Sequence, residues 1–428
     1  MKKVTMFLWN HFTNDARVLR EGNTLSKNDY DINLIAIEKA NDKNIPNFEK
    51  INKNFKVNRV RMYPVFLKKY QSNKRRTNIG VALGVLIFGP LTYVKSKKLF
   101  TFFSFLLLGM IFLVKNKFAR RNMIKLIRSF RMILKGYFQN SDIYHSHDLN
   151  TLTQGVICSK MRIEKKKLIY DSHEIQTDRT GYNPKIIKVW ERLLLRFVDQ
   201  TIVENDTRAE VHEKLYGYQP KSLYNYSNYY EIKTKPDINL KKILNLNSNE
   251  KILLYQGGIQ PGRGLELLVR MMKFVEGGTL VFIGDGRQKQ ELIELVDSEN
   301  LSNKVKFIEK VPLDDLPSYT KQAYLGFQVL QNVNLNHYTA SSNKLFEYIM
   351  ANVPVISCDF PEIKKIVDNE KIGLSIDASN ERTIASAVNK LINDVELRNY
   401  FSDNCENAKI KYNWNNEEKK LLDLYNNL

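Results

Sequence analysis

The sequence predicts an α/β protein made of two Rossmann-like, doubly wound domains. Three observations support this fold class. The chain has 428 residues, whereas single domains usually contain roughly 100–200 residues. Short apolar segments alternate with helical patterns in both halves, which is typical of parallel sheets covered by helices. A polar, proline-containing segment at 233–249 separates the halves and is the best candidate for a domain boundary.

The first half opens with a strand, loop, helix and strand. These elements are predicted at 3–9, 10–14, 15–25 and 32–37. Asn14 and Asp15 are favourable residues for a helix N-cap. The loop lacks the Gly-x-Gly-x-x-Gly pattern of dinucleotide sites, so this half is not expected to bind NAD.

The alternation resumes after about residue 140 and continues to residue 397. Strands are predicted at 143–148, 167–170, 200–203, 221–224, 252–255, 279–283, 305–308, 325–330 and 353–357. Helices are predicted at 190–197, 211–216, 265–274, 288–296, 316–323, 343–351 and within 379–397. Because such sheets bind ligands at the carboxyl ends of their strands, the loops that follow the strands are the candidate binding segments.

Two apolar runs, at 78–94 and 99–114, interrupt the first half and are joined by the basic link Lys95–Lys98. Each run is at or below the roughly 17–25 residues that a membrane-spanning helix needs. Three interpretations remain open: two marginal transmembrane helices, a hairpin embedded in one leaflet, and a buried core hairpin or dimer interface. A basic amphipathic helix predicted at 120–135 favours contact with an anionic surface.

The formal charge of +20 requires an anionic partner or a compositional bias toward Lys and Asn. Basic residues cluster beside the apolar runs, at 68–76, 95–98 and 115–131. This placement favours a membrane surface over nucleic acid, for which no binding motif is present. Three distant cysteines argue against a disulfide framework or a zinc site. With no secretory signal expected in the first residues, the cytoplasmic face of the membrane is the expected location.

The loop from Gly257 to Gly264 contains four glycines and Arg263 between a predicted strand and a helix. Glycines allow close approach of the backbone to a ligand, and the following helix N-terminus favours an anion. Arg263 can bind phosphate oxygens in a bidentate manner. The alternative is an ordinary turn with an exposed arginine. Gly284 and Gly286 also follow a strand, and on their own they favour a simple tight turn.

The segment 341–356 places a small polar turn at the start of a helix, with Lys344 in its first turn. A cation at this position opposes the helix dipole, which indicates a bound anion such as phosphate. Glu347 lies one turn later and could accept hydrogen bonds from ribose hydroxyls. A helix with a surface lysine and a capping glutamate is the alternative.

Several motifs, in this order along the chain, resemble glycosyltransferase family 4, the retaining GT-B enzymes. They are Asn14–Glu21, His145–Asp148, Asp171–Glu174, Gly257–Gly264, Gly284–Gly286, Asn343–Tyr348 with Ala351–Ile356, and the C-terminal stretch from Tyr412. The resemblance covers nearly the whole chain except about 65–135. It departs from the family at Thr339, where a first glutamate often precedes Glu347 by eight positions, and at Gly258, where an arginine is common.

The resemblance implies roles for individual residues. The catalytic candidates are Arg263, Lys344 and His147, with the two cations stabilising the diphosphate. The implied donor-binding residues are Gly257, Gly258, Gly284, Gly286, Asn343, Leu345 and Glu347. The implied acceptor-side residues are Asn14, Arg17, Asp148, His173 and Glu174. Two cations at the diphosphate leave no requirement for a metal. A hydrogen-bonded structural role is the alternative for both His147 and His173.

The expected architecture is therefore GT-B, with an acceptor domain at 1–235 that carries an apolar helical insertion at about 65–135. A nucleotide-sugar domain is expected at 236–405, and a helix at 406–428 is expected to cross back to the first domain. The expected activity is retaining transfer from a nucleotide-sugar, UDP by default, to a lipid-linked or cell-surface glycan acceptor in polysaccharide biosynthesis. The alternatives are a nucleotide-sugar epimerase of similar fold and an inactive membrane-associated scaffold.

Overall fold

A computed structural model describes residues 1–13, 15–40, 42, 44–64, 67, 73, 96–234 and 238–428. Contacts divide the chain into two compact units. The first contains Met1–Asp15, Gly22–Asp171 and Leu194–Asp199, and the second contains Ala16–Glu21, Ser172–Leu193 and Gln200–Leu428.

The first unit contains a six-stranded run of hydrogen-bonded strands in the order β3-β4-β2-β1-β5-β6. The strands are β1 (Lys2–Phe7), β2 (Tyr30–Ile37), β3 (Phe48–Asn52), β4 (Phe55–Val60), β5 (Ile143–His147) and β6 (Lys167–Ser172). Only the edge pair β3–β4 is antiparallel among these pairings. The central strands are buried on both faces, as expected where helices cover a parallel sheet.

The helices of the first unit include α1 (Ala16–Lys27), whose first six residues belong to the second unit, α2 (Lys97–Lys115), α3 (Lys117–Tyr137) and α4 (Leu149–Lys160). Asn116 begins α3, because its side chain accepts a hydrogen bond from the Ala119 amide at 2.9 Å. Helix α3 packs closely on the sheet, since a Cβ at Gly136 would lie 2.4 Å from the Phe7 ring.

The two predicted apolar runs have different outcomes. The run at 78–94 lies outside the described residues, whereas the run at 99–114 falls within α2. Within the described part of the chain, no helix combines the length and apolarity needed to cross a bilayer.

The second unit contains a six-stranded, all-parallel sheet in the order β11-β10-β9-β12-β13-β14. Its strands are β9 (Ile252–Gln256), β10 (Thr279–Ile283), β11 (Val305–Ile308), β12 (Leu325–Gln328), β13 (Val355–Cys358) and β14 (Gly373–Ile376). The unit also contains the parallel pair β7 (Gln200–Val203) and β8 (Lys221–Ser222), which is not part of this sheet. The strand order reverses between β9 and β12, which is where ligands bind in doubly wound sheets.

Most helices of the second unit alternate with its strands, and three successive helices close the chain. They are α5 (Pro184–Leu195, whose last two residues belong to the first unit), α6 (Asp206–Tyr216), α7 (Leu240–Ile243), α8 (Leu265–Met271), α9 (Lys289–Ser298), α10 (Leu316–Thr320), α11 (Leu335–Tyr338), α12 (Asn343–Met350), α13 (Pro361–Glu370), α14 (Glu381–Asn393), α15 (Val395–Lys411) and α16 (Trp414–Asn426).

The structure adds to and corrects the sequence-based elements. Strands β3 and β4 were not predicted. Edge strand β3 has exposed and partly exposed residues and therefore lacks an apolar run, and β4 alternates buried with partly buried residues over most of its six positions. Strand β14 and helix α13 were also missed. The predicted strand at 221–224 is only the two residues of β8, and the predicted polar loop before α12 contains the short helix α11.

The last helix contacts the segment 224–227. The Trp414 amide donates to the Ser227 carbonyl at 2.9 Å, and Glu417 Oε1 accepts from the Tyr224 amide at 2.9 Å. Residue 405 lies within α15, and the final helix starts at Trp414. The domain limits near 235 and 405 stay predictions.

Candidate active site

The loop after β9 lies at the switch point of the second sheet, and its own Arg263 and the side chain of Lys344 lie beside its first glycines. Gly257 has a φ of +121°, which favours glycine. A Cβ added to Gly257 would lie 3.7 Å from Cε of Lys344, and one added to Gly258 would lie 3.8 Å from Cζ of Arg263. The structure therefore brings both predicted cations to the same glycine-rich backbone, which is an arrangement suited to an anion.

Lys344 lies in the first turn of α12, and its side chain is almost fully buried against β9. Its Nζ donates to the Tyr255 hydroxyl at 3.2 Å and lies 4.4 Å from the centre of the Tyr255 ring. The same hydroxyl donates to the Gly258 carbonyl at 2.9 Å. Burial lowers the pKa of Lys344, the nearby Tyr255 raises it, and the charge of Arg263 lowers it further. A bound anion would offset this cost of burying the ammonium group.

Tyr255 was not identified from the sequence. In the sequence, Tyr255 is only the last residue of a predicted apolar strand. That pattern gives no sign that its hydroxyl connects Lys344 to the loop after β9. Its position at the carboxyl end of β9 is the one signal that pointed to it.

Glu347 lies one helical turn after Lys344, and hydrogen bonds orient its carboxylate. Gln256 Nε2 donates to Glu347 Oε2 at 2.6 Å, and the Thr320 hydroxyl donates to Gln256 Oε1 at 2.8 Å. Burial raises the pKa of Glu347, while the hydrogen bond from Gln256 and the charges of Arg20 and Lys344 lower it. Gln256 of β9 thus engages one oxygen of this carboxylate, and Thr320 of α10 orients Gln256.

Arg20, in the first half of α1, belongs to this neighbourhood and was also missed. Its Nη1 donates to Asn225 Oδ1 at 2.5 Å, and Asn225 Nδ2 donates to Asn343 Oδ1 at 2.9 Å. Burial lowers the pKa of Arg20 to about 10, and the charge of Glu347 raises it. Asn343, a predicted donor-binding residue, is therefore connected to a third cation.

Three other predicted donor-binding residues have clear packing roles. Leu345 is fully buried in the core of the second unit. A Cβ at Gly284 would lie 2.0 Å from the Gly257 carbonyl oxygen, and one at Gly286 would lie 1.9 Å from that of Ile259. The two glycines therefore allow the loops after β9 and β10 to pack together. Contact of Leu345, Gly284 or Gly286 with a donor stays a prediction.

Thr339 occupies the position where glycosyltransferase family 4 often has a glutamate. Its side chain is buried and hydrogen-bonded. Its hydroxyl accepts from Arg208 Nε at 3.4 Å and donates to the Leu335 carbonyl at 2.8 Å. His337 lies nearby against Gly262. Burial lowers the pKa of His337, and the charges of Arg263 and Lys344 lower it further.

His147 and Asp148 belong to the first unit, at the end of β5. His147 is buried, its Nδ1 lies 3.3 Å from Asp171 Oδ2, and its ring stacks on His145 with centroids 4.3 Å apart. Asp148 has a φ of +63°, and its amide donates to the Asp171 carbonyl at 2.8 Å. The His147–Asp171 contact fixes the imidazole, which is compatible with both a catalytic and a structural role.

Among the described residues of the first unit, the same histidines and Asp171 form a group that could ligate a metal. The ligand atoms of His145, His147 and Asp171 lie within 4.8 Å of one another. Two imidazoles and a carboxylate are a donor set that divalent transition metals accept. The expectation that no metal is needed stays untested.

Of the remaining predicted acceptor-side residues, Arg17 is held by structural contacts. Arg17 is buried, with Nε 3.1 Å from Glu21 Oε1 and Nη1 donating to the Leu223 carbonyl at 2.7 Å. Asn14 lies outside the described residues.

His173 and Glu174 follow β6. The His173 carbonyl accepts a hydrogen bond from Arg208 Nη1. Glu174 Oε2 lies 3.0 Å from Arg179 Nε. These contacts orient the segment after the strand, and the acceptor-side roles of both residues stay predictions.

Comparisons with known proteins agree with this geometry. Residues 237–408 match the family model described as glycosyl transferases group 1. An uncharacterized glycosyltransferase of Methanocaldococcus jannaschii is 24% identical over 299 residues, which are 66% of this chain and 75% of that protein. The chitobiosyldiphosphodolichol beta-mannosyltransferase of Candida albicans is 22% identical over 281 residues, 58% of this chain and 60% of that protein.

The fold is shared with solved structures as well. The structure of Anabaena HepE in complex with UDP superposes with a TM-score of 0.68 at 14% identity and covers 100% of both chains. This likeness shows the fold, two Rossmann-like domains with parallel sheets. Together with the glycosyltransferase relatives, the match at 237–408 supports a glycosyltransferase of GT-B fold whose residues 237–408 form a group 1 domain.

Proposed function

We propose that this enzyme transfers a sugar from a UDP-sugar to a lipid-linked or cell-surface glycan acceptor, with retention of the anomeric configuration. The observation that carries the proposal is the convergence of Lys344 and Arg263 on the backbone of Gly257 and Gly258. A glycine-rich backbone with two cations beside it suits a diphosphate. The UDP bound to the structural neighbour from Anabaena supports the choice of nucleotide.

The two cations act on the leaving group. Negative charge accumulates on the diphosphate as the glycosidic bond breaks, and preorganised cations in a partly dehydrated site stabilise that charge. Lys344 is preorganised by the Tyr255 hydroxyl, so it does not have to reorganise during the reaction. In the retaining reaction the acceptor attacks on the face from which the nucleotide departs. Glu347, oriented by Gln256, accepts hydrogen bonds from the ribose.

The acceptor is proposed to be membrane-bound at the cytoplasmic face. One relative is named for an acceptor on a diphosphodolichol. In this chain, α2 and α3 expose large apolar side chains next to lysines and arginines, among them Phe102, Phe105, Phe118 and Phe130. Exposed aromatic residues with basic neighbours match the boundary of an anionic bilayer.

A donor screen tests the transfer reaction. Purified protein is incubated with UDP-, GDP- and ADP-sugars, with and without a polyprenyl-diphosphate glycan acceptor, and released nucleotide is measured. We expect acceptor-dependent release of UDP and an α-linked product from an α-linked donor, assigned by NMR. Release of another nucleotide would refute the UDP assignment, and an inverted product would refute retention. Conversion of donor alone to its epimer would indicate an epimerase instead.

The same assay tests the metal requirement. Since two cations neutralise the diphosphate, dialysis against EDTA should leave the rate unchanged. A rate that falls and returns on addition of Mg²⁺ or Mn²⁺ would refute a metal-independent reaction.

A further inference from the structure

Helix α5 (Pro184–Leu195) carries an apolar stripe that faces away from the protein. Ile186, Val189, Trp190 and Leu193 follow the i, i+3, i+4, i+7 spacing of one helix face, and they are 66%, 60%, 45% and 43% exposed. A surface helix normally turns such a stripe toward the core. A stripe of this kind that stays exposed marks an interaction surface.

The opposite side of α5 is buried, with Leu194 only 7% exposed, and polar contacts hold this side as well. Glu191 is buried, and its Oε2 accepts a hydrogen bond from the Tyr216 hydroxyl at 2.6 Å. Arg192 Nη2 donates to the Leu215 carbonyl at 3.0 Å. These contacts fix the helix in the orientation that leaves its apolar face exposed.

The charges of α5 are nearly all positive. Lys185, Lys188 and Arg192 accompany the stripe, and Glu191, the one acidic residue of the helix, is buried. A symmetric dimer through this face would bring like charges together, which disfavours a second copy of the chain as the occupant. An anionic lipid surface fits both the exposed apolar stripe and the positive charges of α5. It accepts apolar side chains at its acyl boundary, and its phosphates pair with Lys and Arg.

We propose that α5 is an interfacial helix that inserts Ile186, Val189, Trp190 and Leu193 into an anionic bilayer. The site lies on a different helix from the α2 and α3 surface, and the inference deepens the membrane docking proposed above. Trp190 suits this position, since tryptophan is enriched at membrane–water interfaces. Sugar transfer to a water-soluble acceptor does not depend on it.

Vesicle flotation of the full chain tests this proposal. The vesicles contain phosphatidylcholine alone or mixed with phosphatidylglycerol. One variant combines Trp190→Ser with Leu193→Ser, and another combines Lys185→Glu with Lys188→Glu. The matched control combines Val395→Ser with Ile410→Ser, since both residues are exposed apolar positions on α15. Because binding scales with buried apolar area and with attraction to anionic lipid, each α5 variant should lose at least about tenfold in partitioning to the anionic vesicles. The control should bind as the unaltered chain does.

Several results would overturn the proposal. Unchanged partitioning of both α5 variants would do so, as would equal binding of the unaltered chain to neutral and anionic vesicles. A dimer seen by light scattering that Trp190→Ser with Leu193→Ser dissociates would assign the face to a second copy. Binding lost only in Phe118→Ser with Phe130→Ser would assign membrane contact to α3 alone. Thermal unfolding and nucleotide release with a soluble acceptor, measured on every variant, separate these outcomes from misfolding and from failure of the proposed transferase activity.

Discussion

Replacing Lys344 with methionine tests the role of the buried cation directly. The ammonium lies 3.2 Å from the Tyr255 hydroxyl and next to Gly257, so a diphosphate oxygen on this loop would be within hydrogen-bonding range. At a separation of about 4 Å and an effective dielectric constant near 20, two unit charges interact by about 4 kcal/mol. Loss of one preorganised donor to a developing anion costs about 2.7–4 kcal/mol in other enzymes. We therefore expect kcat to fall by about 100- to 1000-fold.

The same substitution should leave the fold intact. Methionine retains much of the side-chain volume and removes a cation whose burial is unfavourable, as the lowered pKa of Lys344 indicates. The melting temperature should therefore stay the same or rise while the activity is lost. A folded Lys344→Met variant with kcat within about threefold of the unaltered enzyme would refute the assigned role.

The pH profile supplies a second measurement on this residue. Burial lowers the pKa of Lys344, so in the free enzyme its proton is lost at a lower pH than that of an ordinary lysine, about 10.4. The value of kcat/KM for the donor should accordingly decline on the alkaline side below that pH, and Lys344→Met should lack this decline. An identical alkaline limb in both proteins would assign it to another group.

Three further predictions concern residues around the site and in the second unit. Tyr255→Phe removes the hydroxyl that positions the lysine, so steady-state kinetics should show kcat/KM reduced by about 2- to 10-fold, the value of one hydrogen bond; no change would contradict that role. Gly286→Ala forces a Cβ to within 1.9 Å of the Ile259 carbonyl oxygen and should lower the unfolding free energy in urea by about 1–3 kcal/mol, whereas Gly277→Ala, with open space around it, should not. Burial lowers the pKa of His212 to about 4, so as the pH falls the unfolded chain takes up this proton before the folded chain does. Relative to His212→Gln, the protein should therefore lose about 2.5 kcal/mol of unfolding free energy between about pH 7 and 4.5. Parallel plots of unfolding free energy against pH for the two proteins would contradict this.

Much of the second sheet and of its glycine-rich loop could be predicted from local sequence patterns. Apolar segments that end in glycine turns mark β9 and β10. Lys344 and Glu347 are three residues apart, which places them on successive turns of one helix face. Edge strand β3 escaped prediction because its side chains are largely solvent-accessible, so no apolar period marks it.

The sequence could not show which residues of a motif contact ligand and which only pack. Leu345 lies within the donor motif yet is a core residue, and Arg17 lies within the acceptor motif yet is held by Glu21. A residue can belong to a motif because it contacts ligand or because it packs in the core. Only the packing in the structure shows which of the two applies.

The sequence by itself determined the alternation of strands and helices, the glycine-rich loop with Arg263, and the spacing of Lys344 and Glu347 on one helix, because these features depend on neighbours a few residues apart. The tertiary structure brought Lys344 to that loop, which lies far earlier in the chain. The tertiary structure alone decided that Tyr255 positions the lysine, that Gln256 orients the glutamate and that Arg20 joins the same site. It also decided that α5 turns its apolar stripe outward. Such contacts join segments distant in the chain, and their partners are set by how helices and strands pack rather than by local periodicity.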